Sequence, residues 1–203
     1  MAKVKLTKGE LKRQRDCLKQ YLRYLPTLQL KKQQLQIEIL HQLSIVEDRR
    51  QQEGKKVVAA DTWLGLLSEP QVNLKPLLKP LKIITDAKNI AGVDIPVFVN
   101  VEFPPAEYDL FTTPLWVDAA LEALKILKAL RQEILVLQKG IEILRRELRI
   151  TTQRVNLFEK VKIPESEEAI RLIRIYLGDQ MANAVGRSKI AKAKIERMEL
   201  VAV

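Results

Sequence analysis

The side chains best suited to acid, base or metal chemistry are few and isolated in this 203-residue chain. His41 is the only histidine, and it lies beside Leu40 and Leu43 without a cysteine or paired carboxylates nearby. A zinc site or a general base needs such partners, because one imidazole alone neither completes a ligand set nor orients itself. We interpret His41 as a packing or surface residue.

The sequence also shows neither a supported nucleophile nor a phosphate-binding loop. Cys17, the single cysteine, lies among cations that favour a thiolate, but no second histidine or resolving cysteine supports a nucleophilic or redox role. Residues 184–189, Ala-Val-Gly-Arg-Ser-Lys, lack the glycine spacing and the preceding strand of a phosphate loop. We expect no catalytic residue, no cofactor and no metal ion, and hence a protein that is not an enzyme.

The remaining chemistry is the attraction of basic residues for anions. The formal net charge is +10, and residues 1–60 and 114–203 carry the excess of Lys and Arg, whereas residues 61–113 hold 4 basic and 7 acidic side chains. Cations near the N-terminus would suit a phosphate backbone, so a nucleic-acid-binding protein is one alternative. The acidic middle and the lack of a helix-turn-helix or zinc pattern do not fit that alternative.

Long helices must position these side chains, because the chain has only 7 glycines and many straight-chain residues. The capping pattern at residues 7–10, Thr-Lys-Gly-Glu, predicts a helix that begins near Thr7. Pro26 predicts a kink, with the helix resuming at Thr27 and ending between Gly54 and Ser68. Its apolar stripe consists of Leu11, Leu18, Leu22, Leu25, Leu28, Leu35, Ile39, Leu43 and Val46.

A second helix begins at Thr113-Pro114, an N-cap followed by a proline at the first helical position. Its heptad stripe contains Trp116, Ala120, Ala123, Leu127, Leu130, Ile134, Leu137, Ile141, Leu144, Leu148, Thr151, Val155 and Phe158. A strict seven-residue repeat of this length requires a supercoiled partner helix. After Pro164 a further stripe contains Ile170, Ile173, Leu177, Met181, Ala184, Ser188, Ala191, Ile195 and Met198.

The middle of the chain contains most of the nine prolines, and its composition differs from that of the predicted helices on either side. Residues 81–85 and 96–103 predict a β-hairpin with a glycine-containing turn at 89–93, and Val97, Val99, Val101 and Phe103 would form its apolar face. The predicted organisation is an N-terminal coiled-coil helix (1–68), a Pro-rich middle (69–113) and a C-terminal coiled-coil helix (114–203) kinked near Pro164.

The predicted fold is therefore mainly α, a long antiparallel two-helix coiled coil with a small β-hairpin or irregular middle region. An intermolecular homodimer is the competing arrangement, because the apolar pattern does not say which helix is the partner. In the antiparallel case both termini lie at one end and the Pro-rich segment lies at the other.

Specific residues add a resemblance to this pattern. Residues 11–16 (Leu-Lys-Arg-Gln-Arg-Asp), residues 89–96 with their Gly-Val-x-x-Pro element, and residues 154–164 with Arg-Val-Asn and Ile-Pro occur in that order. Together they resemble the D subunit, the central rotor stalk of the V/A-type rotary ATPases, over essentially the whole chain. The smaller, less charged segment 178–186 departs from many members of that family.

The resemblance implies a rotor shaft that transmits torque between the nucleotide-hydrolysing or synthesising headpiece and the ion-translocating membrane rotor. Expected partners are the catalytic and non-catalytic ring subunits, a small stalk subunit and a membrane-rotor adaptor, with no nucleic acid and no direct membrane insertion. The expected location is the cytoplasmic face of a membrane, as a peripheral part of the complex. A free-standing coiled-coil adaptor is the alternative that the heptads alone leave open.

Two sets of residues are predicted to contact these partners. An antiparallel hairpin of helices would form a basic tip for an acidic collar of the headpiece from Lys5, Lys8, Lys12, Arg13, Arg15, Arg187, Lys189, Lys192 and Lys194. The middle hairpin would contact a stalk partner, with its phenylalanines exposed, through Gly92, Val93, Pro96, Phe98 and Phe103.

Overall fold

The computed structural model describes residues 5–63, 65, 74, 76–105 and 113–201. Its elements in chain order are α1 (Lys8–Asp61), β1 (Lys82–Ile90), β2 (Val93–Glu102), α2 (Trp116–Leu157), a π-helical turn (Phe158–Lys162) and α3 (Ile163–Val201). The predicted fold class is confirmed: a long N-terminal helix packs against the long C-terminal helical segment, and a two-stranded antiparallel hairpin lies between them in sequence. Among the described residues, no helix is long and apolar enough to cross a membrane.

The chain divides into two compact units. Unit 1 comprises Met1–Leu30 and Thr152–Val203, and unit 2 comprises Lys31–Thr151. Each unit therefore takes one segment from the N-terminal half of the helical fold and one from the C-terminal half.

In unit 2, α1 and α2 pack antiparallel along the predicted stripes. Leu35 and Leu144 are fully buried in one shared cluster, and Val46 packs against Ile134 and Ile141. Two ion pairs cross the seam: Lys31 Nζ lies 3.1 Å from Glu147 Oε1, and Arg49 Nε lies 2.9 Å from Glu133 Oε1. All positions of the predicted α2 stripe, from Trp116 to Phe158, are buried or half-buried. The pairing is therefore intramolecular, as predicted for the antiparallel alternative.

The hairpin joins β1 to β2 through Ala91 and Gly92, whose φ angles are 52° and 76°. Two consecutive positive φ values fit a type I′ turn, the two-residue turn whose twist matches paired strands. The strands are longer than predicted, and Val99 is the one exposed residue of the predicted apolar face, whereas Val97, Val101 and Phe103 are buried or half-buried. A register shift pairs Ile84 with Asn100 but Thr85 with Phe98, so that Val99 is an extra, largely exposed residue. This bulge leaves Val99 without a partner residue in the ladder.

The hairpin lies along the helix pair of unit 2 and does not continue past its end. Ile95, only 2% exposed, packs into the cluster of Leu35 and Leu144. Gly140 of α2 makes this close approach possible, because a Cβ there would already lie 3.8 Å from the Ile95 Cβ. At the other end of β2, Lys125 Nζ lies 6.0 Å from the centre of the Phe103 ring. Within unit 2 the hairpin therefore packs on the helices, and the placement of the middle segment relative to the termini stays a prediction.

In unit 1, α1 begins one residue after Thr7, whose Oγ1 accepts a hydrogen bond from the Glu10 amide at 3.3 Å. The Glu10 carboxylate accepts a bond from Gln14 instead of completing the reciprocal capping box. α1 then runs through Pro26 without the predicted interruption. Proline still removes one backbone donor there, and Thr27 Oγ1 donates to the Tyr24 carbonyl at 2.8 Å.

The π-helical turn explains why the sequence contains two apolar stripes after Thr113. A strict heptad continued from Val155 and Phe158 would bury residues 162, 165, 169, 172 and 176, but Leu172 and Tyr176 are exposed. The residues one position later are all buried or half-buried, namely Ile163, Ser166, Ile170, Ile173 and Leu177, whereas of the five unshifted positions only Lys162 and Ala169 are. A π-helical turn accommodates one additional residue in a helix, and the Ile163 amide bonds to the Phe158 carbonyl accordingly. The turn therefore brings the second stripe back to the seam.

Candidate partner-binding surfaces

Within the described residues, no group of three or more His, Cys, Asp or Glu side chains is placed to hold a metal ion. His41 is largely exposed, with Nδ1 3.7 Å from Glu38 Oε1, and Cys17 is half-buried. Three surfaces are the candidates for binding another molecule. One lies on the hairpin, one on the C-terminal part of α3, and one between the helices of unit 1.

The hairpin turn is held by side chains that the sequence marked only as part of the Gly-Val-x-x-Pro element. Asn89 Nδ2 donates to Asp94 Oδ1 at 2.6 Å, and Asn89 Oδ1 accepts from the Gly92 amide at 3.1 Å. Asn89 thus bridges both sides of the turn. Of the predicted partner residues, Gly92 is exposed at the tip, whereas Val93 packs against the Leu35 and Leu144 cluster. The element has a clear structural role, which is to fix the turn against the helices.

The other predicted hairpin residues are less available than expected. Pro96, Phe98 and Phe103 are all half-buried, so the premise that both phenylalanines are exposed is wrong. The Pro96 carbonyl faces Gly140, and Phe103 lies beside Lys125. The physical reason is that β2 lies on α2, so its side chains are covered by the same chain.

A different apolar patch of the hairpin is exposed. It contains Leu81, which is 69% exposed, Ile83 and the bulged Val99, which is 57% exposed. Ile83 pairs with Val101 across the ladder, and Leu81 bonds its amide to the Glu102 carbonyl, so the three lie near the open end of the hairpin. Sequence reasoning missed this patch because the bulge, which the sequence does not signal, turns Val99 outward. We refer to Leu81, Ile83 and Val99 as the hairpin patch.

The basic residues predicted to form one tip lie at different levels of unit 1. Lys5, Lys8, Lys12, Arg13 and Arg15 are exposed at the start of the chain, and Arg13 lies 3.9 Å from Glu10. The α1 segment 15–22 lines a groove with the α3 segment 167–175. At 1.5 Å per residue, this antiparallel alignment places Lys8 level with roughly residue 182 and Arg187 about 8 Å further along α3. The cations from Lys8 to Arg15 are therefore level with α3 residues that precede Arg187, and the joint basic tip stays a prediction.

Arg187, Lys189, Lys192 and Lys194 lie on a part of α3 that is uncovered in this chain. Every side chain from Gly178 to Met198 is exposed. The apolar residues among them are 55–72% exposed: Met181, Val185, Ile190, Ile195 and Met198. Lys192 also lies 3.8 Å from Glu196 of the same helix. We refer to residues 178–198 as the exposed α3 segment.

The third surface is a groove of about 590 Å³ between α1 and α3 within unit 1, which we call the unit 1 groove. Its lining combines apolar and charged residues: Leu18, Leu22, Ile170, Ile175, Arg15, Lys19, Arg171, Arg174 and Glu167. Arg171 makes two bonds to Glu168, at 2.7 and 2.9 Å, and this hydrogen bonding holds the pKa of the Glu168 carboxyl below its ordinary value. The groove was not predicted, because its two walls are about 150 residues apart in sequence.

Comparison with known proteins is informative over nearly the whole chain. The family profile that describes the D subunit of ATP synthase matches residues 10–193. The V-type ATP synthase D subunit of Borreliella burgdorferi is 45% identical over 195 residues, which cover 96% of each chain. The V-type ATP synthase D subunit of Chlamydia pneumoniae is 36% identical and covers 95% of this chain and 93% of its own. Residues 89–96 and 154–164, which carry the resemblance, form the hairpin turn with its following strand and the helix around the π-helical turn.

Proposed function

Because the chain belongs to the family of ATP synthase D subunits, and is thus a non-catalytic central stalk component of a V-type ATP synthase, we propose that it works as a rotor shaft. It transmits torque between the nucleotide-converting headpiece and the ion-translocating membrane rotor. This role places it as a peripheral component at the cytoplasmic face of the membrane. Family membership also selects the shaft over a free-standing adaptor and over a nucleic-acid-binding protein.

The observation that carries the proposal is the exposed α3 segment. A single helix without a packing partner is marginal in water, and five large apolar side chains exposed on one helix form the kind of surface that a partner covers. The segment also carries Arg187, Lys189, Lys192 and Lys194. We propose that the catalytic and non-catalytic subunits of the headpiece ring surround this segment and supply an acidic collar for its cations.

The packed part of the molecule has the properties that a shaft needs. The seam of unit 2 contains two clusters of buried side chains from both helices, with an ion pair between Arg49 and Glu133 and another between Lys31 and Glu147. Native cores are packed as densely as organic crystals and deform little. A helix pair packed in this way resists the bending and twisting that transmitted torque imposes.

The hairpin patch is proposed to bind the small stalk subunit or the membrane-rotor adaptor. Leu81, Ile83 and Val99 are apolar and exposed, and they adjoin the unpaired edge of a two-stranded sheet, which is a surface that proteins usually cover. Substitution of all three residues with serine should abolish binding of the stalk partner while the headpiece ring still binds. The contact would be disproved if the stalk partner bound this variant with unchanged affinity.

The role of the exposed α3 segment can be tested in the reconstituted complex. Charge reversal of Arg187, Lys189, Lys192 and Lys194 to Glu should weaken assembly with the ring, most strongly at low salt, and reduce coupled ATP hydrolysis. Reversal of Lys12 and Arg13, which lie roughly 14 Å before Arg187 by helix rise, provides a separate test of the N-terminal cations. Circular dichroism should show unchanged helicity in both variants. Normal assembly and normal rotation of the α3 variant would refute electrostatic seating.

A further inference from the structure

The helix α3 carries a second apolar stripe beside the one that packs in unit 1. The packed stripe contains Ile170 and Ile173, which are 6% and 0% exposed. The residues one position earlier, which continue the heptad of α2 without a shift, are also apolar: Ala169, Leu172 and Tyr176. Because the π-helical turn alone decides which stripe is buried, the position of that turn sets the packing register of α3.

Movement of the π-helical turn along the helix would exchange the two stripes. The turn accommodates one additional residue, so each residue that it passed on the way to the C-terminus would take the place of the next one. Leu172 would then occupy the buried place of Ile173. Movement towards the N-terminus would instead bring Asn156 and Glu159, both polar and exposed, to the seam. Side-chain polarity therefore favours movement towards the C-terminus.

Unit 1 has room for the side chains that would change place. Ile170 would take the place of Arg171 and Ile173 that of Arg174, and both arginines line the unit 1 groove of about 590 Å³. On the other side of the helix, Leu172 already lines a second cleft of about 420 Å³. The displaced isoleucines would thus enter a groove that Leu18 and Leu22 make partly apolar.

The α1 face in unit 1 also permits a second register. None of the α1 residues from Lys8 to Leu30 is fully buried, whereas Leu35 of unit 2 is 0% exposed. A helix face without deeply buried side chains makes fewer specific contacts that a shift of its partner would break.

Pro164 holds the π-helical turn in its place. A proline inside a regular α-helix clashes with the carbonyl four residues earlier, which here belongs to Lys160, a residue of the turn itself. If the turn moved past Pro164, that segment would become regular helix and the clash would arise. Pro164 therefore penalises the second register and leaves the first one unaffected.

We propose that α3 has two packing registers against α1, related by movement of the π-helical turn past Pro164. The main register buries Ile173, and the minor one turns Ile173 towards the unit 1 groove and buries Leu172. In a rotor shaft, such a shift lets α3 turn about its own axis while it stays packed on α1. Only this last consequence rests on the proposed function, because the two registers are a property of unit 1 alone.

A single cysteine at position 173 reports the minor register. In a full-length Cys17→Ser chain, Ile173→Cys places a thiol where exposure is 0% in the main register, and the minor register moves it to the exposed place of Arg174. Leu144→Cys is the matched control, because Leu144 is also 0% exposed but lies in α2, far before the turn. The measurement is the rate of reaction with a thiol reagent, with and without Pro164→Ala.

We expect Pro164→Ala to speed labelling at position 173 by about a hundredfold, the factor that corresponds to the cost of an interior proline. Labelling at position 144 should stay within about twofold. Deletion of Glu159 together with Pro164→Ala should slow labelling at position 173 again, because the additional residue is then gone.

Local unfolding of α3 predicts the opposite response. Alanine favours helix far more than proline does, so exposure through unfolding would make Pro164→Ala slow the labelling. Slower or unchanged labelling at position 173, equal acceleration at position 144, or fast labelling that persists after deletion of Glu159 would overturn the proposal. None of these results would touch the proposed shaft function, which is tested by binding to the headpiece ring.

Discussion

The shift between the two apolar stripes allows a sharp test of the π-helical turn. Deleting Glu159, an exposed residue within the turn, removes the additional residue and should convert the segment to a regular α-helix with one continuous heptad. Deleting Glu167, an exposed residue of α3 with the same charge, rotates everything that follows by roughly 100° about the helix. The two deletions are chemically alike, but only the second one breaks the seam.

The expected difference follows from the buried side chains beyond Glu167. Ile170 and Ile173 are 6% and 0% exposed, and each contributes about 1.5–3 kcal/mol by burial. Turning both away from α1 should therefore cost about 3–6 kcal/mol, whereas deletion of Glu159 should change the free energy of unfolding by less than about 1 kcal/mol. Both deletions are made in a chain that also carries Pro164→Ala. A proline inside the resulting regular helix would clash with a preceding backbone carbonyl and destabilise the helix by about 3 kcal/mol.

The assay is denaturant unfolding followed by circular dichroism at 222 nm, with the Pro164→Ala chain as the reference. The deletion of Glu159 should leave the midpoint nearly unchanged, and the deletion of Glu167 should lower it clearly. If the two deletions lowered the denaturation midpoint equally, the π-helical turn would not be what shifts the apolar stripe by one residue. A larger loss on deletion of Glu159 would mean that the turn itself stabilises unit 1.

Three further predictions concern single residues. Gly140→Ala should raise the free energy of unfolding by up to about 1 kcal/mol, because alanine favours the helical conformation and its Cβ would contact the Ile95 Cβ at an ordinary 3.8 Å. Gly140→Leu, by contrast, should displace the hairpin and lower the denaturation midpoint. Gly92→Ala should destabilise the hairpin by about 1 kcal/mol, since φ is 76° there, and faster amide exchange in β1 and β2 would report this. Arg171→Gln should raise the pKa of the Glu168 carboxyl towards its ordinary value in an NMR titration. In the unsubstituted chain the pair is intact above the ordinary carboxyl pKa and is lost as pH falls through the lowered pKa, and no measurable effect on the thermal midpoint is expected for so exposed a pair.

The helical part of the fold was predictable because its determinants are local and periodic. Every position of the stripe from Trp116 to Phe158 is buried or half-buried, and α1 ends at Asp61, within the interval bounded by Gly54 and Ser68. Heptad spacing has this power because a side chain's direction on a helix depends only on its position in the repeat. The hairpin was also predictable, since Gly92 marks a two-residue turn between two β-rich segments.

The candidate surfaces were predicted less well than the fold. Phe98 and Phe103 were expected to face a partner, but they are half-buried, whereas Leu81 and Val99 are exposed. Exposure in a strand depends on register and on what covers each face, and a bulge leaves one residue unpaired. The predicted basic tip joined residues of two helices without knowledge of their relative stagger, which determines whether Lys8 and Arg187 meet.

The sequence by itself determined that two long helices pair through heptad stripes, that a hairpin interrupts them and that the chain resembles a rotor stalk, because propensity, period and motif are properties of neighbouring residues. Only the tertiary structure decided where the hairpin docks, how the π-helical turn reconciles two stripes that differ by one residue, and which cations surround the unit 1 groove. These features depend on contacts between segments that are far apart in the chain, such as Ile95 with Leu35 and Leu144, and no local pattern encodes the stagger that brings them together.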